Sequence, residues 1–222
     1  MSEPREIRLS TTPTPEAIAD LRLGDVVYLD GLLYTAREGV YKRALEDKAN
    51  IPMDLPVESA ANFHCSPAAR INEDGTFDMG AVTATASFRF NKWLPDWMAK
   101  TGARLIIGKG GMTSKDYKEY FVPNGAVYLS TVGYGTGALL GRGIERVEAV
   151  HWNEQLGLAQ AMWVIRCNRM GPFMVASDLN GECLFERENA KIAQNIKKVY
   201  EGTRPAVLKR YGETDDPSDE VI

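Results

Sequence analysis

Between Arg104 and Ile144 the chain switches repeatedly between two hydrophobic periods, and this limits its possible folds more than any other feature. β-rich runs at Arg104-Leu-Ile-Ile107 and Ala126-Val-Tyr-Leu129 alternate with helical stretches through Asp116-Tyr-Lys-Glu-Tyr120 and from about Gly137 to Ile144. That is the order of βαβ units, which build a parallel sheet with right-handed crossovers. Strands are expected next at Ala161–Arg166 and Phe173–Ser177, then a turn at Asp178-Leu-Asn-Gly181. An amphipathic helix from Asn189 to Tyr200 carries Ile192, Ile196 and Val199 on one stripe.

The front half is richer in strands. Glu6–Ser10 reads as an edge strand, and Thr14-Pro15 supplies a cap residue and a first-turn proline for a helix ending at Gly24-Asp25. Val26–Leu29 and Leu32–Thr35 flank Asp30-Gly31, the strongest short hairpin signal in the chain. A helix over about 38–47 precedes a meander of Ala61–Cys65, a turn at Asn72-Glu-Asp-Gly75 and an extended Phe77–Val82. Trp93, Leu94, Trp97 and Met98 recur at helical spacing over 91–100, with Pro95 in conflict and Gly102 as the stop. The expected fold is mixed α/β, a layered β/β/α domain whose strand-rich N-terminal half and βαβ-like C-terminal half share one core. A single domain over residues 1–211 is expected, followed by a disordered acidic tail at 212–222.

Charge narrows the function classes. Acidic residues outnumber Lys and Arg by 30 to 26, for a net charge of −4, which argues against a nucleic-acid surface. No apolar run reaches the roughly 20 residues of a membrane span, and the N-terminus lacks a signal-peptide pattern, so a cytoplasmic protein is expected. Cys65, Cys167 and Cys183 are too few and too scattered for a disulfide framework and form no Cys-x-x-Cys pair. His64 and Cys65 are adjacent, so in a strand they point to opposite faces and cannot readily share a metal. No metal site is expected from this chain.

Two glycine-rich runs could serve chemistry. Val132-Gly-Tyr-Gly-Thr-Gly-Ala138 follows a strand and opens a helix, as a dinucleotide fingerprint requires, with Glu148 or Glu154 at about the right distance for the ribose. The helix is short and the flanking pattern is missing, so a tight strand-to-helix turn explains these glycines better. Gly108-Lys-Gly-Gly111 ends a strand, where open α/β sheets place ligand crevices, and its glycines let backbone N–H groups approach an anion beside Lys109. Arg37 falls where a strand becomes a helix, and Arg89 enters the Trp93–Met98 helix. Two guanidiniums can each grip a carboxylate through paired hydrogen bonds, so together they suit a small dicarboxylate.

These segments also resemble a known family. Gly24-Asp-Val-Val-Tyr-Leu29 with Asp30-Gly-Leu-Leu-Tyr-Thr-Ala-Arg37, Lys42-Arg43, Thr85-Ala-Ser-Phe-Arg89, Thr101 to Met112, Val150-His-Trp152 and Gly171-Pro172 are similar to the β subunit of class I fumarases and L(+)-tartrate dehydratases, over about residues 7–200. The resemblance implies a swivelling β/β/α domain of a hydro-lyase acting on fumarate and malate or on tartrate. It also implies an α subunit carrying a [4Fe-4S] cluster with one iron open to substrate, in a hetero-oligomer such as α2β2. Carried over, Arg37, Arg89 and Lys109 would bind substrate, and Thr85 would stand where the base must be.

A threonine hydroxyl needs a neighbouring carboxylate to act as base, and the partner would have to supply it. The chain departs from the family pattern at Tyr41, which replaces a histidine, and at Thr83, Ala84, Ala86, Phe90 and Asn91. Those changes leave the four carried-over residues intact but bear on which dicarboxylate is taken. A homologue that has kept the fold and serves as a non-catalytic binding or regulatory partner is the alternative reading.

Overall fold

The structure, a computed structural model, describes residues 4–133 and 136–202. Strand β1 (Glu6–Ser10) leads to helix α1 (Pro15–Ala19), where the Thr14 hydroxyl accepts from Ala17 N and Pro15 occupies the first turn. Strand β2 (Val26–Thr35) is followed by α2 (Glu38–Tyr41), which continues through a π turn at Lys42–Glu46. Strand β3 (Ala61–Phe63) precedes the hairpin of β4 (Cys65–Ile71) and β5 (Phe77–Ala84). Then come α3 (Leu94–Thr101), β6 (Leu105–Gly108), α4 (Ser114–Asp116) with a π turn to Phe121, β7 (Val127–Thr131) and α5 (Gly137–Gly141). Strand β8 (Ile144–His151), α6 (Asn153–Leu156), β9 (Met162–Ser177) and α7 (Leu184–Val199) complete the order.

The alternation after Arg104 does give parallel pairing. β2, β3, β6 and β7 lie side by side in parallel, and β1 pairs parallel with β2 at the edge. The long β9 then runs antiparallel to β7, to β8 and to β2. Because β9 pairs with both β7 and β2, the strands β2–β3–β6–β7–β9 form a closed ring of hydrogen-bonded neighbours.

Five expectations are corrected here. Asp30-Gly31 makes no hairpin: β2 passes through it unbroken, and the register against β9 shifts between Leu29 and Gly31, as at a bulge. Long-range pairing with β9 overrides the local turn signal, Gly31 sits at φ +117, and the Asp30 carboxylate is taken by Arg8 and by the backbone N–H of Arg169. The two strands expected at 161–166 and 173–177 are one, and the register shifts against β2 let it pass Gly171-Pro172. Ala61–Phe63 joins the large sheet, while Cys65–Ile71 turns back on Phe77–Ala84 as a separate hairpin. Finally, α3 begins at Leu94, so Pro95 falls in its first turn, where a missing N–H costs nothing, and α7 begins at Leu184.

Both faces of the sheet are buried, so there are two apolar clusters where one shared core was expected. Alternate residues of each strand divide between them: Leu105, Ile107, Val127 and Leu129 join the first, Ile106 and Tyr128 the second. The first also takes Ile18 of α1, Leu140 of α5 and the hairpin residues Cys65 and Val82. Helices supply the second, with Val40 and Tyr41 of α2, Leu94 and Trp97 of α3, and Tyr117 and Phe121.

The chain divides into a compact unit of Met1–Arg187 and a second unit of Glu188–Ile222. In the second, Ile192, Ile196 and Val199 are exposed. The expected tail at 212–222 lies outside the described residues, as do two positions of the Val132–Ala138 run. Within that run Gly133 has φ +74, and a Cβ on Gly137 would crowd the Val82 carbonyl of β5, so the described glycines serve a turn and close packing. Among the described residues no helix is long and apolar enough to cross a membrane.

Candidate active site

Three separate stretches of chain meet at the ends of β3, β5 and β6. β2 delivers Arg37 to the N-cap of α2 in an extended conformation. β5 ends at Ala84, and the chain then crosses the end of β6. Thr85 N donates to His64 O (2.6 Å), Lys109 N to Thr85 O (3.1 Å), and Ser87 N to Lys109 O (3.3 Å). Ala86 and Lys109 form a short parallel bridge, and a 3-10 turn over Ser87–Phe90 carries Arg89. This crossing needs Gly108, because a Cβ there would overlap Ser87 Oγ and stand 3.0 Å from Tyr128 Oη.

The result is a cleft of about 450 Å³ lined by Arg37, Thr85, Arg89 and Lys109, with Ser66, Thr83 and Ala86 among the remaining wall. All four residues singled out in the sequence therefore reach one cavity. Among the described residues its wall holds three cations and no carboxylate. A larger cavity, about 750 Å³, lies between Gly75–Gly80 and Ile144–Ala149, and its wall carries charges of both signs: Asp78 pairs with Arg70, and Glu148 with Arg146 and Arg166, while Glu145 accepts from Asn168. The smaller cleft differs in that all of its described charged lining residues are cationic.

The cations differ in how they are held. Arg37 donates from Nη1 to Ala159 O (2.8 Å), while its buried Nε has no hydrogen-bond partner. Arg89 is exposed and makes no hydrogen bond or ion pair among the described residues. Lys109 is half-buried and fixed through its backbone. Thr85 is fixed the same way, and no carboxylate among the described residues reaches its hydroxyl.

Sequence reasoning missed the polar group beneath the cleft. His64, weighed only as a metal ligand, is fully buried between Tyr41 Oη and Ser87 Oγ, each 2.6 Å from a ring nitrogen. Burial draws its pKa down to about 3, so the ring is neutral. The signal was present in Tyr41, the departure from the family's histidine, because a phenol there needs a buried partner.

The thiols do not fit an iron–sulfur cluster. Cys65 and Cys167 lie in the first apolar cluster and Cys183 in the second. Cys167 donates to Gly31 O and Cys183 toward Met112 O. Burial pushes the Cys65 thiol up beyond the usual range and Cys167 up to about 12, against the thiolate a cluster needs. Among the described residues no three His, Cys, Asp or Glu side chains gather as ligands.

The sequence model described as "Fumarase C-terminus" matches residues 1–188. The chain belongs to that family. The match ends within one residue of the compact unit Met1–Arg187. The chain is 34% identical to "L(+)-tartrate dehydratase subunit beta" of Escherichia coli (strain K12), over 90% of this chain and 94% of that protein. It is 35% identical to "Putative fumarate hydratase class I" of Geobacillus stearothermophilus, over 83% of this chain but 34% of that protein. Family membership thus covers every segment that lines the cleft.

Proposed function

We propose that this chain is the β subunit of an iron–sulfur-dependent hydro-lyase that hydrates or dehydrates a small hydroxy-dicarboxylate of the malate or tartrate kind. The observation that carries the reading is the cleft itself, where Arg37, Arg89 and Lys109 converge around Thr85 with no acidic residue among the described residues of the wall. A dicarboxylate brings two negative charges, and removal of its α-proton adds more on the neighbouring carboxylate. Fixed cations in a partly desolvated cleft stabilise that developing charge without reorganising. Arg37 and Arg89 bind and orient the carboxylates, Lys109 contributes a point charge, and Thr85 Oγ1 lies beside the carbon that loses its proton.

Two parts of the chemistry are absent from this chain on this reading. The carboxylate that would take the threonine proton comes from an α subunit, and so does the [4Fe-4S] cluster that assists departure of the hydroxyl. The relatives named as β subunits, together with the fumarate hydratase that is about three times as long as the matched region, support such a division. A hetero-oligomer of the α2β2 kind in the cytoplasm completes the proposal. The test is anaerobic co-expression with the cluster-bearing subunit, followed by assays of malate, fumarate and L-tartrate. Turnover of one of these that disappears in Arg89→Ala supports the reading. An assembled, cluster-loaded complex inert toward all dicarboxylates favours the non-catalytic alternative.

A further inference from the structure

We propose that one buried hydrogen-bond chain, Asn62–Tyr41–His64–Ser87–Tyr128, positions all three cleft segments relative to one another, with Ser87 as the joint. This rests on the substrate reading above for its consequences, but its geometry is independent of it. Asn62 Nδ2 donates to Tyr41 Oη at 2.6 Å, Tyr41 Oη lies 2.6 Å from His64 Nε2, and His64 Nδ1 lies 2.6 Å from Ser87 Oγ. Tyr128 Oη donates to Ser87 Oγ at 2.7 Å and approaches Lys109 O at 3.3 Å. All five side chains are fully buried.

Each link reaches a different part of the cleft. Tyr41 closes the helical turn that Arg37 begins, its N–H donating to Arg37 O at 3.1 Å. Ser87 stands two residues after Thr85 and two before Arg89, and Tyr128 reaches the carbonyl of Lys109. The neutral imidazole suits the centre of the chain, since one nitrogen donates while the other accepts, and either tautomer completes it because both neighbours are hydroxyls. Phe90 packs edge-on against the imidazole at 4.8 Å, and Trp93 stacks on Tyr41. An apolar set of the same volume would fill this space with less desolvation cost, but it would leave three loops free to slide past one another. These residues are therefore positioning residues, none of which lines the cleft.

The experiment uses Tyr41→Phe, Ser87→Ala and their double variant, with Tyr128→Phe as a further near-isosteric probe should Ser87→Ala misfold. Amide exchange in the full-length chain is read at Thr85, Ser87 and Lys109. KM and kcat are read in the assembly with the cluster-bearing subunit. Tyr41→Phe, which touches none of those amides, is expected to raise their exchange about tenfold and to raise KM for the dicarboxylate by a similar factor with a smaller change in kcat. The double variant is expected to add little to Ser87→Ala, because one chain has already been cut. Unchanged exchange at those amides in both Tyr41→Phe and Tyr128→Phe, or effects of the two single variants that simply multiply, would overturn the proposal. If the exchange pattern appears while the wild-type assembly turns over no dicarboxylate, the positioning chain stands and the substrate reading falls.

Discussion

Arg89 carries the sharpest test at the scale of single residues, because it is exposed, makes no bond of its own among the described residues and sits in the wall of a cation-lined cleft. Arg89→Lys keeps the charge and loses the two-pronged grip, so kcat/KM is expected to fall by about 2–3 kcal/mol of transition-state binding. Steady-state kinetics of the assembled enzyme checks this, and an unchanged kcat/KM would make the arginine structural. Thr85→Val keeps the shape and removes the oxygen. If that oxygen relays the proton, kcat drops by about 10²-fold or more while KM holds, and Ser restores part of it; retention of more than about a tenth of kcat places the base on the partner. His64 gives a pH test. Its folded pKa near 3 lies below the 6.5 of a free imidazole, so between those values the unfolded chain binds a proton that the folded chain does not. Stability is fully present above about pH 6.5 and declines as pH falls, by up to about 1.4 kcal/mol per pH unit from this group. His151, also lowered by partial burial, acts in the same direction. Urea midpoints at pH 7 and pH 5 are expected to differ less in His64→Gln than in the wild type, and an equal difference would show that the ring is not buried neutral.

At the scale of elements, Gly108 holds the cleft together by having no side chain. Gly108→Ala forces either β6 or the Thr85–Arg89 crossing to shift, an overpacking cost of about 1–3 kcal/mol. The expected result is a lower Tm together with a raised KM; a variant with both unchanged would mean the crossing is loosely seated. The parallel strands around β6 and β7 were legible because their apolar runs alternate with helical ones, and all four cleft residues were legible from motif positions. Asp30-Gly31 misled because a turn signal is local, whereas β2 is decided by pairing with β9 about 140 residues further on. The split of the core into two clusters was hidden because continuous apolar strands do not reveal which face each residue takes. His64 and Ser87 were invisible as a pair for a similar reason: they lie 23 residues apart and meet only when the crossing is folded.

At the scale of the whole molecule, all three cysteines are buried and free. Among the described residues the cleft offers cations without a carboxylate, and no three potential metal ligands gather. Purified alone and treated with iron and sulfide, the chain is expected to remain colourless and without hydro-lyase activity, as checked by visible absorbance and a fumarate assay; a stoichiometric cluster would sink the division of labour proposed here. The closed ring of strands has another effect. Among the described residues, a sheet whose central strands all pair among themselves leaves β1 and β8 with open rims, and both are studded with charge: Glu6 and Arg8 on one, Glu145, Arg146 and Glu148 on the other. A rim of alternating ionised side chains is poor at recruiting a further strand, because each added neighbour would strip water from several charges at once. Crowded copies of the chain are thereby kept from stitching into ribbons.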